Sequence, residues 1–487
     1  MTTEEPDIVL VSNRGPVQFT QPDPGDFGIE RGAGGLAGAL DWVARDLGDS
    51  ALWIAAATSA ADRAAMQAGK GPSLRSMLGY PVLLLDIERQ TYDRYYNEVS
   101  NRLLWFANHC LWTELGVTGF DDDSLHAWAD SYEPVNLHFA KAVADASDDS
   151  ALVLFQDYHL ATAPLHLRHL GGNRTILHFT HSSFCGPECL EKLPGPIPEK
   201  VIEGMLGADL LGFHVPRWAH GFLTCCESMG AQVDYKRGLV GYAGHRSWVR
   251  SYPIPIDPGD LEERARKEPA RGWAQQYRSY GGRLLVRADR AEPSKNIVRG
   301  FQAFGRMLDH RPDLAADVRF VACLYPTRQA MSEYLSYLDE LQRAAQEVNR
   351  RHPGSIELSL EADFDRVLGA YLVYDVLLVN SLMDGMNLVS KEGTAVNETD
   401  GVLVLARGAG SYEELGDHAL VIDDPYDLEE TAVALELAFD MQAAERSQRA
   451  ESLRSIIAGR LPQDWISDQL ADLRAIRSGL EPATPAL

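Results

Sequence analysis

Arg290 and Lys295 flank a turn in VRADRAEPSKNIVRGFQAF (286–304), where a strand pattern gives way to a helix pattern. Two cations converging on a leaving diphosphate stabilise the charge that grows as a glycosidic bond breaks, and they can do so in place of a metal. Further on, SLMDGMNLVSKEGTAVNETDGVLVL (381–405) reads as a strand end, a Gly-containing turn and an amphipathic helix starting near Asn387. The consecutive backbone N–H groups of the turn and the helix N-terminus together form an anion site without needing net positive charge. Asp384, at the strand end, can accept from sugar hydroxyls, and Glu392, about one and a half turns into the helix, can reach a ribose. Each segment alone also fits a plainer reading, a capped turn with a solvated Glu or a pair of surface cations.

A third segment, VSNRGPVQF with RGAGGLAGAL (11–19 and 31–40), leads from a strand through a loop into a glycine-rich turn that opens a helix. Gly32, Gly34 and Gly35 allow close backbone approach to a phosphate or sugar. GxGxxG spacing and a Walker lysine are both missing, which disfavours dinucleotide and P-loop readings.

The elements that must position these groups are short β-branched runs alternating with helical patterns, the signature of a parallel sheet buried on both faces. Strand candidates are 8–14, 51–58, 81–87, 151–157, 175–182 and 210–215, then 283–290, 318–326, 376–381, 401–407 and 419–423. The 487 residues exceed what one core supports, so the runs imply two doubly wound α/β halves, residues 1–257 and 258–487. The hinge falls in the proline-rich SYPIPIDPGDLEERA (251–265). Past 424 the pattern is almost wholly helical with a break at LPQDW (461–465), the last helices are expected to pack back on the first half, and the tail GLEPATPAL is expected to be loose.

The net charge of −25 argues against nucleic acid as a partner, so a phosphorylated substrate must meet a local cluster of cations. No apolar run approaches the roughly 20 residues of a membrane helix, and the acidic start MTTEEPD is unlike a signal peptide; a cytoplasmic location away from membranes is expected. The six cysteines form no paired CxxC set and read as buried free thiols. FDDDSLH (120–126) reads as a solvated loop, and Asp157 with His159 lacks a third metal ligand. Neither a metal nor a cofactor is called for.

The ordered set VSNRGPV, GAGGL, YYNEVSNRLLW, QDYHL, DRAEPSKN, PTR and DGMNLVSKE resembles the trehalose-6-phosphate synthase family over residues 8–475. The resemblance implies a GT-B fold, two Rossmann-like domains facing a cleft. It also implies metal-independent retaining transfer of glucose from a nucleoside diphosphate glucose to glucose 6-phosphate. On that resemblance Arg14, Tyr96, Trp105, Asp130, Gln156 and Arg328 serve the acceptor, and Arg290 and Lys295 hold the diphosphate. Asp384, Met386, Asn387, Leu388, Val389, Glu392 and His181 serve the donor, with Gly34 and Gly35 in a loop closing on both substrates.

Two departures line what the resemblance makes the region between donor and acceptor sugars: Gln156 stands where many members have His, and THSSFCGPE (180–188) replaces an HIPFP-type stretch around His181. They leave room for relatives that couple a nucleotide-cyclitol to an amino-cyclitol phosphate or glucosylate glycerol 3-phosphate. A non-catalytic sugar-phosphate-binding module is a further alternative, and a homo-oligomer is left open. The pairing of QDYHL with SKNIVRGF resembles a branch using GDP-glucose, so GDP-glucose is expected over UDP-glucose, with the base read around EADFDRVLGAY (361–371).

Overall fold

The computed structural model describes residues 6–21, 26–31, 40–41, 44–117, 119–120 and 122–486. These fall into two compact units. The first comprises the chain up to Trp112, Val117–Ile254 and everything from Pro462 on; the second comprises Thr113–Gly116 and Pro255–Leu461.

In the first unit the strands are β1 (Ile8–Ser12), β2 (Val17–Thr20), β3 (Gly28–Arg31), β4 (Ala51–Ala56), β5 (Val82–Leu85), β6 (Leu152–Gln156), β7 (Thr175–Thr180), β8 (Leu210–Phe213), β9 (Gln232–Asp234), β10 (Leu239–Tyr242) and β11 (His245–Ser251). β2 and β3 pair as a separate hairpin. The remaining strands form one sheet in the order β5-β4-β1-β6-β7-β8-β11-β10-β9. It is parallel from β5 to β11, and β10 and β9 add an antiparallel edge. The runs IVLVS, ALWIAA, LVLFQ and TILHFT are buried at every position, as strands covered on both faces must be. The chain direction across the sheet reverses between β1 and β6, and ligands of open α/β sheets bind beyond the carboxyl ends at such a point.

The second unit holds β12 (Arg283–Ala291), β13 (Val318–Pro326), β14 (Ile356–Ser359), β15 (Val376–Val379), β16 (Val402–Ala406) and β17 (Leu420–Ile422). They pair in the order β14-β13-β12-β15-β16-β17, parallel throughout. Alternate residues of β12 enter opposite cores: Leu285 and Ala291 pack with Phe301, Phe304 and Leu378, Leu284, Val286 and Ala288 with Tyr371, Leu377 and Leu403. The switch point lies between β12 and β15.

Every strand run expected from the sequence is present. Three expectations are corrected. Cys110 and Cys189 are bonded as a disulfide, leaving Cys185, Cys225, Cys226 and Cys323 as buried free thiols; partners 79 residues apart leave no mark in local spacing, and such bonds are uncommon in reducing compartments. The described part of FDDDSLH is helical from Asp122 to Ala127 rather than loop, with Asp123 paired to Arg94. The C-terminal tail is held, not loose. Asp472 accepts from the backbone of Ala483 and Thr484, Arg250 Nε donates to the Thr484 carbonyl at 2.8 Å, and Arg237 pairs with Glu481. Among the described residues no helix is long and apolar enough to cross a membrane.

Candidate active site

In the second unit the cations sit just past the carboxyl end of β12. A 3-10 turn (Pro293–Lys295) and the left-handed Asn296, φ 58°, reverse the chain into the helix Ile297–His310. Lys295 Nζ lies 2.5 Å from Asp384 Oδ2 and 3.9 Å from Asp289 Oδ1. Burial pulls the lysine's pKa down, but Asp384, Asp289 and Glu292 outweigh it and hold the ammonium above its ordinary value. Arg290 pairs with Glu292 Oε1 at 2.9 Å while Arg328 takes Oε2 at 2.9 Å, so one fully buried carboxylate holds two guanidinium groups apart. Arg328, itself left-handed at φ 50°, also donates to Tyr334 Oη at 2.7 Å.

Asp384, at the end of the segment following β15, is fixed from three sides. Asn387 Nδ2 donates to it at 2.9 Å and Ser381 Oγ at 3.4 Å, and its backbone bridges to Ala409. Asn387, φ 73°, caps the helix Leu388–Val396 by accepting from Ser390 N. That cap takes the N–H of Ser390; the first N–H groups of a helix, here Leu388 and Val389, have no intrahelical acceptor. Met386 is buried, and its carbonyl accepts from Ser411 N at 2.6 Å. Burial raises the Glu392 carboxyl to about 7.

In the first unit Arg14 follows β1 and is exposed; its carbonyl is held by Ser12 Oγ, which in turn accepts from Trp53 Nε1. Arg14 Nη2 donates to Tyr96 Oη at 3.3 Å. YYNEVSNRLLW folds for most of its length as a π-helix, Arg94–Leu104, a rare form that recurs at functional sites. Tyr96 stacks between Tyr92 and His159, both at 5.7 Å. Trp105 is buried, packed on His109 and Tyr158. Gln156 ends β6, and its Oε1 lies 2.9 Å from His181 Nε2. Burial first, then His214 and His178, hold His181 well below the usual imidazole range, so it is neutral and its Nε2–H donates to Gln156.

The structure thus brings Lys295, Asp384 and Asn387 into one network, Arg290 and Arg328 onto one carboxylate, Arg14 onto Tyr96 and Gln156 onto His181. Asp130 stands exposed on the helical turn Trp128–Tyr132, joined to none of these by a hydrogen bond or ion pair among the described residues. Gly34 and Gly35 lie outside the described residues. Sequence reasoning missed Glu292, Arg287, Asp289 and the loop 408–411. A Cβ on Gly410 would meet the Gly385 carbonyl at 2.0 Å, so only glycine lets this loop cross beneath the DGMN turn. Its GAG triplet was the available signal.

Two doubly wound parallel sheets, the second presenting cations and a helix start at its switch point, define the GT-B class of sugar-transferring enzyme. The chain belongs to glycosyltransferase family 20, whose family model matches residues 6–475. It is 29% identical to the trehalose-6-phosphate synthase of Mycolicibacterium smegmatis, covering 96% of this chain and 92% of that protein. It is likewise 29% identical to a probable α,α-trehalose-phosphate synthase [UDP-forming] of Arabidopsis thaliana, covering 97% of this chain but only 57% of that protein's length. Among solved structures, the α,α-trehalose-phosphate synthase (UDP-forming) of Burkholderia vietnamiensis superposes with a TM-score of 0.83 at 27% identity, over 98% of both chains. The Escherichia coli enzyme bound with UDP-2-fluoro glucose gives 0.81 at 26%, over 96% of this chain and 98% of that one. A Burkholderia xenovorans UDP-forming synthase in complex with glucose-6-phosphate gives 0.79 at 25%, over 96% and 100%.

These names overturn the expected preference for GDP-glucose: the relatives that state a nucleotide product are UDP-forming. The expectation rested on the resemblance of QDYHL and SKNIVRGF to one branch of the family and not on any residue seen to read a base.

Proposed function

We propose that the chain transfers glucose from UDP-glucose to glucose 6-phosphate, giving trehalose 6-phosphate with retention of configuration. The observation that carries this reading is the Lys295–Asp384–Asn387 network beside the start of the helix Leu388–Val396. A diphosphate there meets an ammonium, the Arg290 guanidinium and free helix N–H groups together. The donor's β-phosphate oxygen, held on the face the acceptor hydroxyl attacks, takes the proton of that hydroxyl as the glycosidic bond breaks. This route needs no pair of catalytic carboxylates, unlike glycoside hydrolysis. Glu392 accepts from the ribose hydroxyls, and Arg14 binds the acceptor phosphate, a task that suits a guanidinium fork. The relatives named UDP-forming, and those bound with UDP-2-fluoro glucose and glucose-6-phosphate, support the choice of substrates.

The test is kcat/KM for UDP-, GDP- and ADP-glucose with glucose 6-phosphate in excess EDTA. Preference for UDP-glucose with undiminished rate in chelator is expected. Loss of activity in EDTA would reject metal-independent transfer. Gln156, standing where many members have His and bonded to His181, leaves the acceptor open to the cyclitol-coupling and glycerol 3-phosphate alternatives, and a rate with glucose 6-phosphate no better than background across an acceptor panel would move the assignment to them.

A further inference from the structure

Arg287 is a full guanidinium with no solvent exposure, set in the middle of β12. The strand's period of two puts it and Asp289 on the side of Leu285 and Ala291, whose neighbours are Phe301, Phe304 and Leu378. A buried ion pair of this kind is poor evidence of a stabilising role, since apolar residues of like volume serve a core as well or better. The groups it touches indicate what it does. Nε and Nη2 donate to Asp289 Oδ2 at 3.2 and 2.9 Å, and Nη2 also donates to the Lys295 carbonyl at 2.9 Å. The second oxygen of Asp289 faces Lys295 Nζ at 3.9 Å. One planar fork therefore fixes both the main chain that carries the ammonium and a carboxylate that faces it.

The surroundings are shaped to this fork. A Cβ on Gly300, in the helix Ile297–His310, would stand 2.5 Å from Arg287 Nη1 and 3.3 Å from Asn380 Oδ1. Glycine is a poor helix former, so its presence there matches the room the guanidinium needs. Asn380 Nδ2 donates to the Asn296 carbonyl and Asn296 Nδ2 to the Asn380 carbonyl, each at 3.1 Å, which anchors the left-handed residue after Lys295.

We infer that Arg287 is a positioning residue for the transfer reaction, holding the Lys295 ammonium on the donor diphosphate through Asp289 and the Lys295 carbonyl. The inference rests on the reading of Lys295 as a diphosphate ligand. It predicts that displacing the guanidinium lowers turnover without loosening the acceptor.

The experiment is steady-state kinetics with UDP-glucose and glucose 6-phosphate, with thermal melts, on Gly300→Ala, Arg287→Lys, Asp289→Asn and Lys295→Ala, and on Gly300→Ala and Asp289→Asn each combined with Lys295→Ala. Gly300→Ala gains helix propensity against the cost of crowding the guanidinium, so it is expected to stay folded with a lowered Tm while kcat falls about tenfold and the KM for glucose 6-phosphate stays put. Arg287→Lys keeps the charge but not the fork, and its kcat falls similarly. In the Lys295→Ala background neither Gly300→Ala nor Asp289→Asn lowers kcat further, because the group they act through is gone. Wild-type kcat in folded Gly300→Ala and Arg287→Lys, or losses that multiply in the Lys295→Ala background, overturn the inference. Wild-type kcat in Lys295→Ala itself overturns the diphosphate reading, and the inference with it, which separates the two failures.

Discussion

At the scale of single residues, the candidate site is a set of charges whose environments decide their roles. Lys295 keeps its proton because carboxylates at 2.5 and 3.9 Å outweigh its desolvation. On the proposed function its charge complements the transition state more than the ground state, so Lys295→Ala should lower kcat by about 10²–10³ with little change in KM; parallel kinetics on the variant and wild type check this. Glu392 carries the opposite signature. Its carboxyl is raised from 4.5 to about 7 by burial, so it is neutral in the folded protein and ionised in the unfolded chain between those values. Its stabilising contribution is full below about pH 4.5 and is lost as pH rises through about 7, by up to about 3 kcal/mol. Glu392→Gln removes that loss, so its Tm advantage over wild type should grow from about pH 5 to about pH 8 in melts without ligand. Donor KM should fall through the same range in wild type only, because the carboxylate is the better acceptor for ribose hydroxyls.

At the scale of elements, turns rather than regular structure hold the chemistry. Four non-glycine residues with positive φ, Asp157, Asn296, Arg328 and Asn387, lie at or next to candidate residues, as expected where surrounding packing enforces an unfavourable backbone to aim a side chain. Asn387 shows the division of labour, since its left-handed backbone starts the helix, its Oδ1 caps Ser390 and its Nδ2 steadies Asp384. Asn387→Ala loses the cap and strains the backbone, for about 2 kcal/mol, whereas Asn387→Gly keeps the backbone and costs a few tenths. Both lose the contact to Asp384, so denaturation should separate the two variants while kcat falls in each.

At the scale of the whole molecule, the disulfide joins the segment after the π-helix to the short helix Pro187–Leu190. Its sequence separation of 79 gives, on the chain-entropy account, up to about 4.5 kcal/mol of stability in the first unit. Reduction or Cys110→Ser should lower the Tm; calorimetry with and without a dithiol reductant would show it, and unchanged melts would reject it. The C-terminal helix Pro462–Arg477 belongs to the same unit, its Trp465 donating to the Tyr252 carbonyl and Asp472 accepting from Tyr252 Oη.

Local pattern sufficed wherever the cause was local. The apolar runs of Ile8–Ser12, Val376–Val379 and Val402–Ala406 are strands because no other short element hides both faces. The segment after Asp384 turns because Gly385 and Asn387 permit it, and its helix begins one residue after Asn387. These features also made the family legible, and with it the sugar-transfer chemistry. Tertiary structure decided what depends on distant residues meeting: Cys110 with Cys189, Glu292 between Arg290 and Arg328, Gly410 beneath Gly385, the tail on Asp472 and Arg250. It also decided that the charged Arg287, an anomaly in an apolar strand, faces the carbonyl of Lys295 eight residues on. Strand order brings these groups together, and strand order is fixed by the packing of whole sheets, which no window of neighbouring residues contains.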